Sequence, residues 1–128
     1  MRLVIVESPY AGRGPYGISW FDRMANTVYA RRCIKDCLLR EEAPFASHLL
    51  YTQLGVLNDA MPNQRLLGMK AGWAWMKKAD AVVVYCDRGI TPGMRKGIQL
   101  ARDLDIPLEQ RFLYPSHKII LEEQGWWA

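Results

Sequence analysis

No apolar run in this chain approaches the length of a membrane span; the longest, Ala81–Tyr85, suits a single β-strand. The apolar stretch after Met1-Arg2 stops at Glu7, too early for a secretory signal, and reads as a first strand; a cytoplasmic location is the expectation. Cysteine is scarce. Cys33, Cys37 and Cys86 form neither a second pair nor a Cys/His cluster, which argues against a zinc site and favours reduced, packed thiols. The glycines follow neither GxGxxG nor GxxxxGK[ST], so a dinucleotide fingerprint and a P-loop are both missing. No pair of carboxylates stands out as an acid/base couple, and Ser8 and Ser47 lack the setting of a nucleophile elbow. Neither sign of charge dominates: 17 Lys and Arg face 13 Asp and Glu. The bases are scattered, with Arg31-Arg32 and Lys77-Lys78 the densest groups, so nucleic-acid binding is not expected.

What is present is the composition of a folded domain. Half of the 128 residues are hydrophobic and 23% are charged, enough for one core and too few residues for two; one domain over residues 1–128 is expected. Leu3-Val4-Ile5-Val6 is a β-branched run suited to a strand buried on both faces. A Gly- and Pro-rich loop follows to Gly17. From Arg23 to Glu42 the pattern turns helical, with Val28, Tyr29, Cys33, Ile34, Cys37 and Leu38 on one face, and Pro44 forbids its continuation. Phe45–Leu50 could be a second strand. Pro62 can open a helix that runs through Met76. Ala81–Tyr85 is the clearest strand, and Thr91-Pro92 is a capped helix start leading to about Leu104. Pro107–Leu113 could be a last strand, and Ser116 could cap a short terminal helix through Glu123. Strands alternating with helices predict a three-layer α/β domain with a mainly parallel sheet.

Ligands of such sheets bind beyond the carboxyl ends of the strands. Two loops lie there by construction, Glu7–Gly17 and Cys86–Met94. In the first, Tyr10 offers a ring for stacking and a hydroxyl for hydrogen bonding. In the second, the helix start at Gly93 and Met94 could hold an anion on free N–H groups, with Arg88 or Arg95 beside it, and Asp87 could accept from a sugar hydroxyl. The bland alternative is a capped turn whose Asp87 bonds its own loop. A lone histidine such as His48 is more often structural than a general base, and His117 reads as exposed. The Trp126-Trp127 pair suggests a subunit contact, with packing on the same chain as the alternative.

Taken together, Val4-Ile5-Val6-Glu7-Ser8-Pro9-Tyr10-Ala11-Gly12, Asn26 and Ser47-His48 resemble the first half of the nucleoside 2-deoxyribosyltransferase-like superfamily. Ala79-Asp80 through Tyr85, then Asp87, Gly89, Gly93 and Ala101, resemble its second half, and Ile106-Pro107-Leu108 its closing strand. The resemblance implies a Rossmann-like (flavodoxin-type) fold, a nucleoside or ribosyl ligand, and a homo-oligomer. The ligand-binding set it implies is Pro9, Tyr10, Ala11, Gly12, Asn26, His48, Asp87, Arg88, Gly89, Thr91, Gly93, Met94 and Arg95. It also implies a nucleophilic Glu about four residues after the helix-opening glycine, and this chain has Gly97 there, which cannot form a glycosyl-enzyme intermediate. The leading expectation is therefore non-catalytic binding of a nucleotide or ADP-ribose-like ligand, with neither cofactor nor metal. A small viral-type protein that sequesters a nucleotide immune signal would be one biological form. The alternative is a nucleoside deoxyribosyltransferase or N-glycosidase using another carboxylate, Glu7 or Asp87.

Overall fold

The computed structural model describes residues 1–10 and 20–118. Eight elements follow in order: β1 (Leu3–Glu7), α1 (Trp20–Leu39), β2 (Ala43–Phe45), α2 (Ser47–Leu50), α3 (Pro62–Met76), β3 (Ala81–Tyr85), α4 (Pro92–Asp103) and β4 (Leu108–Arg111). The four strands form one all-parallel sheet in the order β2-β1-β3-β4.

Residue parity along the two central strands divides the core. Val4 and Val6 of β1, with Val83 and Tyr85 of β3, face α1 and pack against Tyr29, Cys33 and Cys37. Ile5, Val82 and Val84 point to the other face, against Met76 of α3 and Met94, Ile98 and Ala101 of α4. Helices on both faces explain why β3 is apolar at every position instead of alternating. The result is the expected three-layer α/β fold of flavodoxin type.

Several expectations shift by a few residues. The apolar face of α1 centres on Tyr29, Ala30, Cys33 and Cys37, while Val28 and Leu38 are exposed. The segment at 45–50 is split. Its strand ends at Phe45 and its second half is α2. Pro44 sits inside β2, which is possible because β2 is an edge strand with one unpaired side. The helix starts at Pro62 and Thr91 stand where expected. All three cysteines are free and buried, and burial pushes the Cys86 thiol up to about 12. Residues 115–118 are helical. The expected continuation to Glu123, and the Trp126-Trp127 pair, lie outside the described residues.

Two polar devices lock the sheet. Asp80, from the Ala-Asp pair before β3, accepts the backbone N–H of Leu3 at 2.7 Å while its own N–H bonds the Leu3 carbonyl at 2.7 Å, which fixes the β1–β3 register. Below the α1 face, Arg111 donates to both oxygens of Glu42 at 2.7 Å and to Glu109 at 2.7 Å, and Arg2 reaches both Glu42 and Glu109. The Arg111 and Glu42 side chains are each only 6% exposed. The Arg111 hydrogen bonds hold the Glu42 carboxyl below its ordinary range. This stabilisation is therefore complete above the unfolded carboxylate value near 4.5 and is lost as pH falls through the folded one. Glu42→Ala is expected to cost about 3–5 kcal/mol in urea unfolding at neutral pH, because it strands a buried guanidinium. A cost under about 1 kcal/mol would show that Glu109 alone suffices.

Candidate functional site

The strand order places the switch point beside β1: the chain leaves β1 for β2 on one side and returns to β3 on the other. A cavity of about 590 Å³ opens at the carboxyl end of β1. Its floor is Ile5, Glu7 and Ser8. One wall is α2 and the loop after it, with His48, Tyr51 and Asp59; a second is α3, with Arg65, Met69 and Trp73; a third is the start of α4, Thr91 to Met94. Two glycines on α3 let the walls close in. A Cβ at Gly72 would stand 2.6 Å from Ser47 Oγ, and one at Gly68 would stand 3.2 Å from Leu57 Cδ1.

Glu7 is the chemical centre of this cavity. Its carboxyl lies over α4 at Gly97, where an added Cβ would collide with its Oε1 and stand 2.8 Å from its Cδ. Among the described residues the carboxyl has no hydrogen-bond partner. Burial, with no charge to offset it, pushes its pKa up to about 8, so at neutral pH it is largely a neutral acid. Here α4 is bare at Gly97, and the Glu7 carboxyl from β1 fills the space that a side chain there would need.

Beside Glu7, Ser8 Oγ and His48 Nε2 are 2.7 Å apart. Burial drives the His48 pKa down to about 4, so the ring is neutral and joins the wall as a hydrogen-bonding group. The Tyr10 ring meets His48 edge-on at 6.5 Å and carries the Arg23 guanidinium over its other side at 5.4 Å from the ring centre.

Of the sequence-derived site residues, Tyr10, His48, Thr91, Gly93 and Met94 converge on the cavity. Pro9 is buried beside it without lining it. Ala11 and Gly12 lie outside the described residues. Asn26 and Arg88 support the wall from behind: Arg88 Nε donates to Asn26 Oδ1 at 2.8 Å, and Asn26 Nδ2 donates to the Tyr10 carbonyl at 3.3 Å. Arg88 is thus committed to Asn26 instead of standing at the start of α4. Arg95 is exposed and away from the lining. Gly89 is a turn residue, with φ +89° in the left-handed region, and nothing lies within 4 Å of the point where its Cβ would be.

Asp87 stands apart from the cavity. Its carboxylate accepts from Tyr29 Oη, the N–H groups of Leu113 and Tyr114, and bonds His117 Nδ1 at 3.0 Å. Its side chain is 2% exposed. Burial raises its pKa, but these hydrogen bonds outweigh burial and hold it below the usual range. Its partners come from α1 and from residues 113–117, so Asp87 neither bonds its own loop nor lines the cavity.

The start of α4 is also poorer in donors than expected. Pro92 has no N–H, Thr91 Oγ1 takes the Met94 N–H at 3.2 Å, and the Arg95 N–H bonds the Thr91 carbonyl. Among the described residues, nothing accepts the Gly93 N–H in that turn. The cation near it is Arg65, absent from the sequence-derived set, whose Nη2 lies 3.9 Å from the Cβ position of Gly93. The spacing Gly68-x-x-x-Gly72 was the sequence signal for this α3 wall.

Comparison with solved structures finds similarity to a 2-deoxyribosyltransferase from the psychrotolerant bacterium Bacillus psychrosaccharolyticus, with a TM-score of 0.58 and 14% identity, covering 88% of this chain and 74% of that one. At that identity the similarity speaks for the fold alone. No curated protein matches the chain. Residues 2–111 match the family described as a domain of unknown function, DUF7768, and the chain belongs to that family.

Proposed function

We propose that the protein binds a nucleoside or nucleotide-type ligand in the cavity at the end of β1, and that it works as a homo-oligomer. The observation that carries this reading is the cavity at the switch point, where the Tyr10 ring, the neutral Glu7 acid and the Gly93 N–H surround one volume large enough for such a ligand. Binding without turnover would suit sequestration of a nucleotide signal, the viral-type role. Mass spectrometry of small molecules released on denaturing the purified protein, followed by calorimetry with adenosine, deoxyadenosine, cytidine and ADP-ribose, tests the reading. At least one should bind, and Tyr10→Ala should weaken it about tenfold. If none of the four binds and nothing is released, the reading fails.

A second reading, glycosidic cleavage or deoxyribosyl transfer, is favoured by one observation: the Glu7 carboxyl occupies the space above Gly97. Free base released from deoxynucleosides in proportion to protein, and lost in Glu7→Gln, would decide for it.

A further inference from the structure

We propose that the floor of the cavity takes an uncharged heteroaromatic ring, seated so that a ring nitrogen or carbonyl acceptor receives a hydrogen bond from the Glu7 carboxylic acid. The proposal deepens the nucleoside reading and rests on it.

Three observations support it. The first is the seat of the carboxyl. Glu7 ends β1, where the strand backbone fixes its Cα, and the bare face of α4 at Gly97 receives its carboxyl. A residue with a Cβ at 97 would displace it, so the glycine and the acid form one arrangement. The second is the absence of a competing partner. Among the described residues no donor or acceptor binds this carboxyl; Glu7 is half-buried and lines the cavity, where a ligand or water can supply a partner. The third is the shape and chemistry of the surrounding lining. Ile5, Met69, Trp73, Met76 and Met94 are apolar and flat or deformable, a surface suited to the faces of a ring.

The charge around Glu7 points the same way. Just past β1 it shares the cavity with Ser8. From α2 it meets His48, which is neutral. Asp59 comes from the loop before α3, Arg65 from α3, and the tyrosines Tyr10 and Tyr51 complete the ionisable lining. Arg95 and Lys96 of α4 are exposed on the helix and do not line the cavity. Among the described residues no cation is placed to ionise Glu7, whose shift is caused by burial. An anion would face an acidic group at the floor. Any charged end of the ligand belongs at the mouth, near exposed Arg65 and the Gly93 N–H.

The test is calorimetry from pH about 6.5 to about 9.5 with adenosine, cytidine, free adenine and ribose, on the parent, Glu7→Gln and Glu7→Leu. Neither adenosine nor cytidine changes charge over this range. For the parent the expected affinity is flat at the acid end and falls about tenfold per pH unit once Glu7 ionises. Glu7→Gln, whose amide still donates, should bind as the parent does at the acid end and lose the pH dependence. Glu7→Leu should bind more than tenfold more weakly at every pH. Nucleoside binding that is independent of pH in the parent, or Glu7→Gln as weak as Glu7→Leu, would overturn this proposal and leave the nucleoside reading standing. Adenine binding with this pH profile while both nucleosides fail would do the reverse. Binding of ribose alone, or of none of the four, would overturn the ring proposal.

Discussion

Glu7→Gln is expected to stabilise the empty protein by an amount that grows with pH. In the folded chain Glu7 holds its proton up to about pH 8, whereas the unfolded chain releases it near 4.5. Between these values the unfolded state gains about 1.4 kcal/mol of relative stability per pH unit. The penalty is therefore absent below the unfolded value, builds through neutral pH, and is complete above the folded value. Gln escapes it. Urea unfolding of parent and variant should coincide near pH 4.5 and differ by about 3–5 kcal/mol above pH 8. His48 acts in the opposite sense. Its folded pKa near 4 lies below the ordinary 6.5, so its contribution is lost as pH falls between them. Both proteins carry His48, so it drops out of the difference. Parallel stability curves would mean that Glu7 is ionised in the folded state, and that some group neutralises it.

Asp87→Ala is expected to destabilise the protein by about 3–5 kcal/mol while leaving ligand affinity within about threefold of the parent. The substitution strands two backbone N–H groups, at Leu113 and Tyr114, together with the Tyr29 hydroxyl. Each loses a charge-assisted bond, in part-buried surroundings at Tyr29 and Leu113 and in exposed ones at Tyr114. Because Asp87 does not line the cavity, its loss should not touch the ligand directly. Thermal unfolding gives the first quantity and calorimetry at a temperature where the variant is folded gives the second. A large loss of affinity with unchanged stability would return Asp87 to the role of a sugar-binding group.

These two carboxylates show how far a sequence can be read. The strand, the loop and the helix cap around each were visible, because β-branched runs, Gly/Pro breaks and a Thr-Pro start act locally. The parallel three-layer architecture followed from their alternation. Which carboxylate faces the cavity did not follow. Glu7 ends β1 and Asp87 lies two residues past the end of β3, and each could have pointed at a ligand. Their fates are set by long-range partners: Gly97 makes room for one, while Tyr29 and residues 113–117 enclose the other. Such contacts join positions far apart in the chain and leave no local pattern. Arg88 illustrates the same point, since its bond to Asn26 spans 62 positions. The α3 wall was missed for a different reason. Its outer residues Leu66, Leu67 and Trp75 are exposed apolar groups, so its periodicity does not announce which side faces inward.

The Glu42–Arg111 pair has a kinetic consequence. It joins the residue before β2, at one edge of the sheet, to the last residue of β4, at the other, across 69 positions of chain. Closing so long a loop is entropically unfavourable until the strands between are in place. The pair should therefore form after the rate-limiting step of folding, when β1 and β3 are already side by side. Its contribution then falls on the barrier to opening: in Glu42→Ala the refolding rate should stay near that of the parent, and nearly all the lost stability should appear as faster unfolding. The two edges of the sheet are thus fastened last, and that late fastening sets how long a folded molecule persists before it opens.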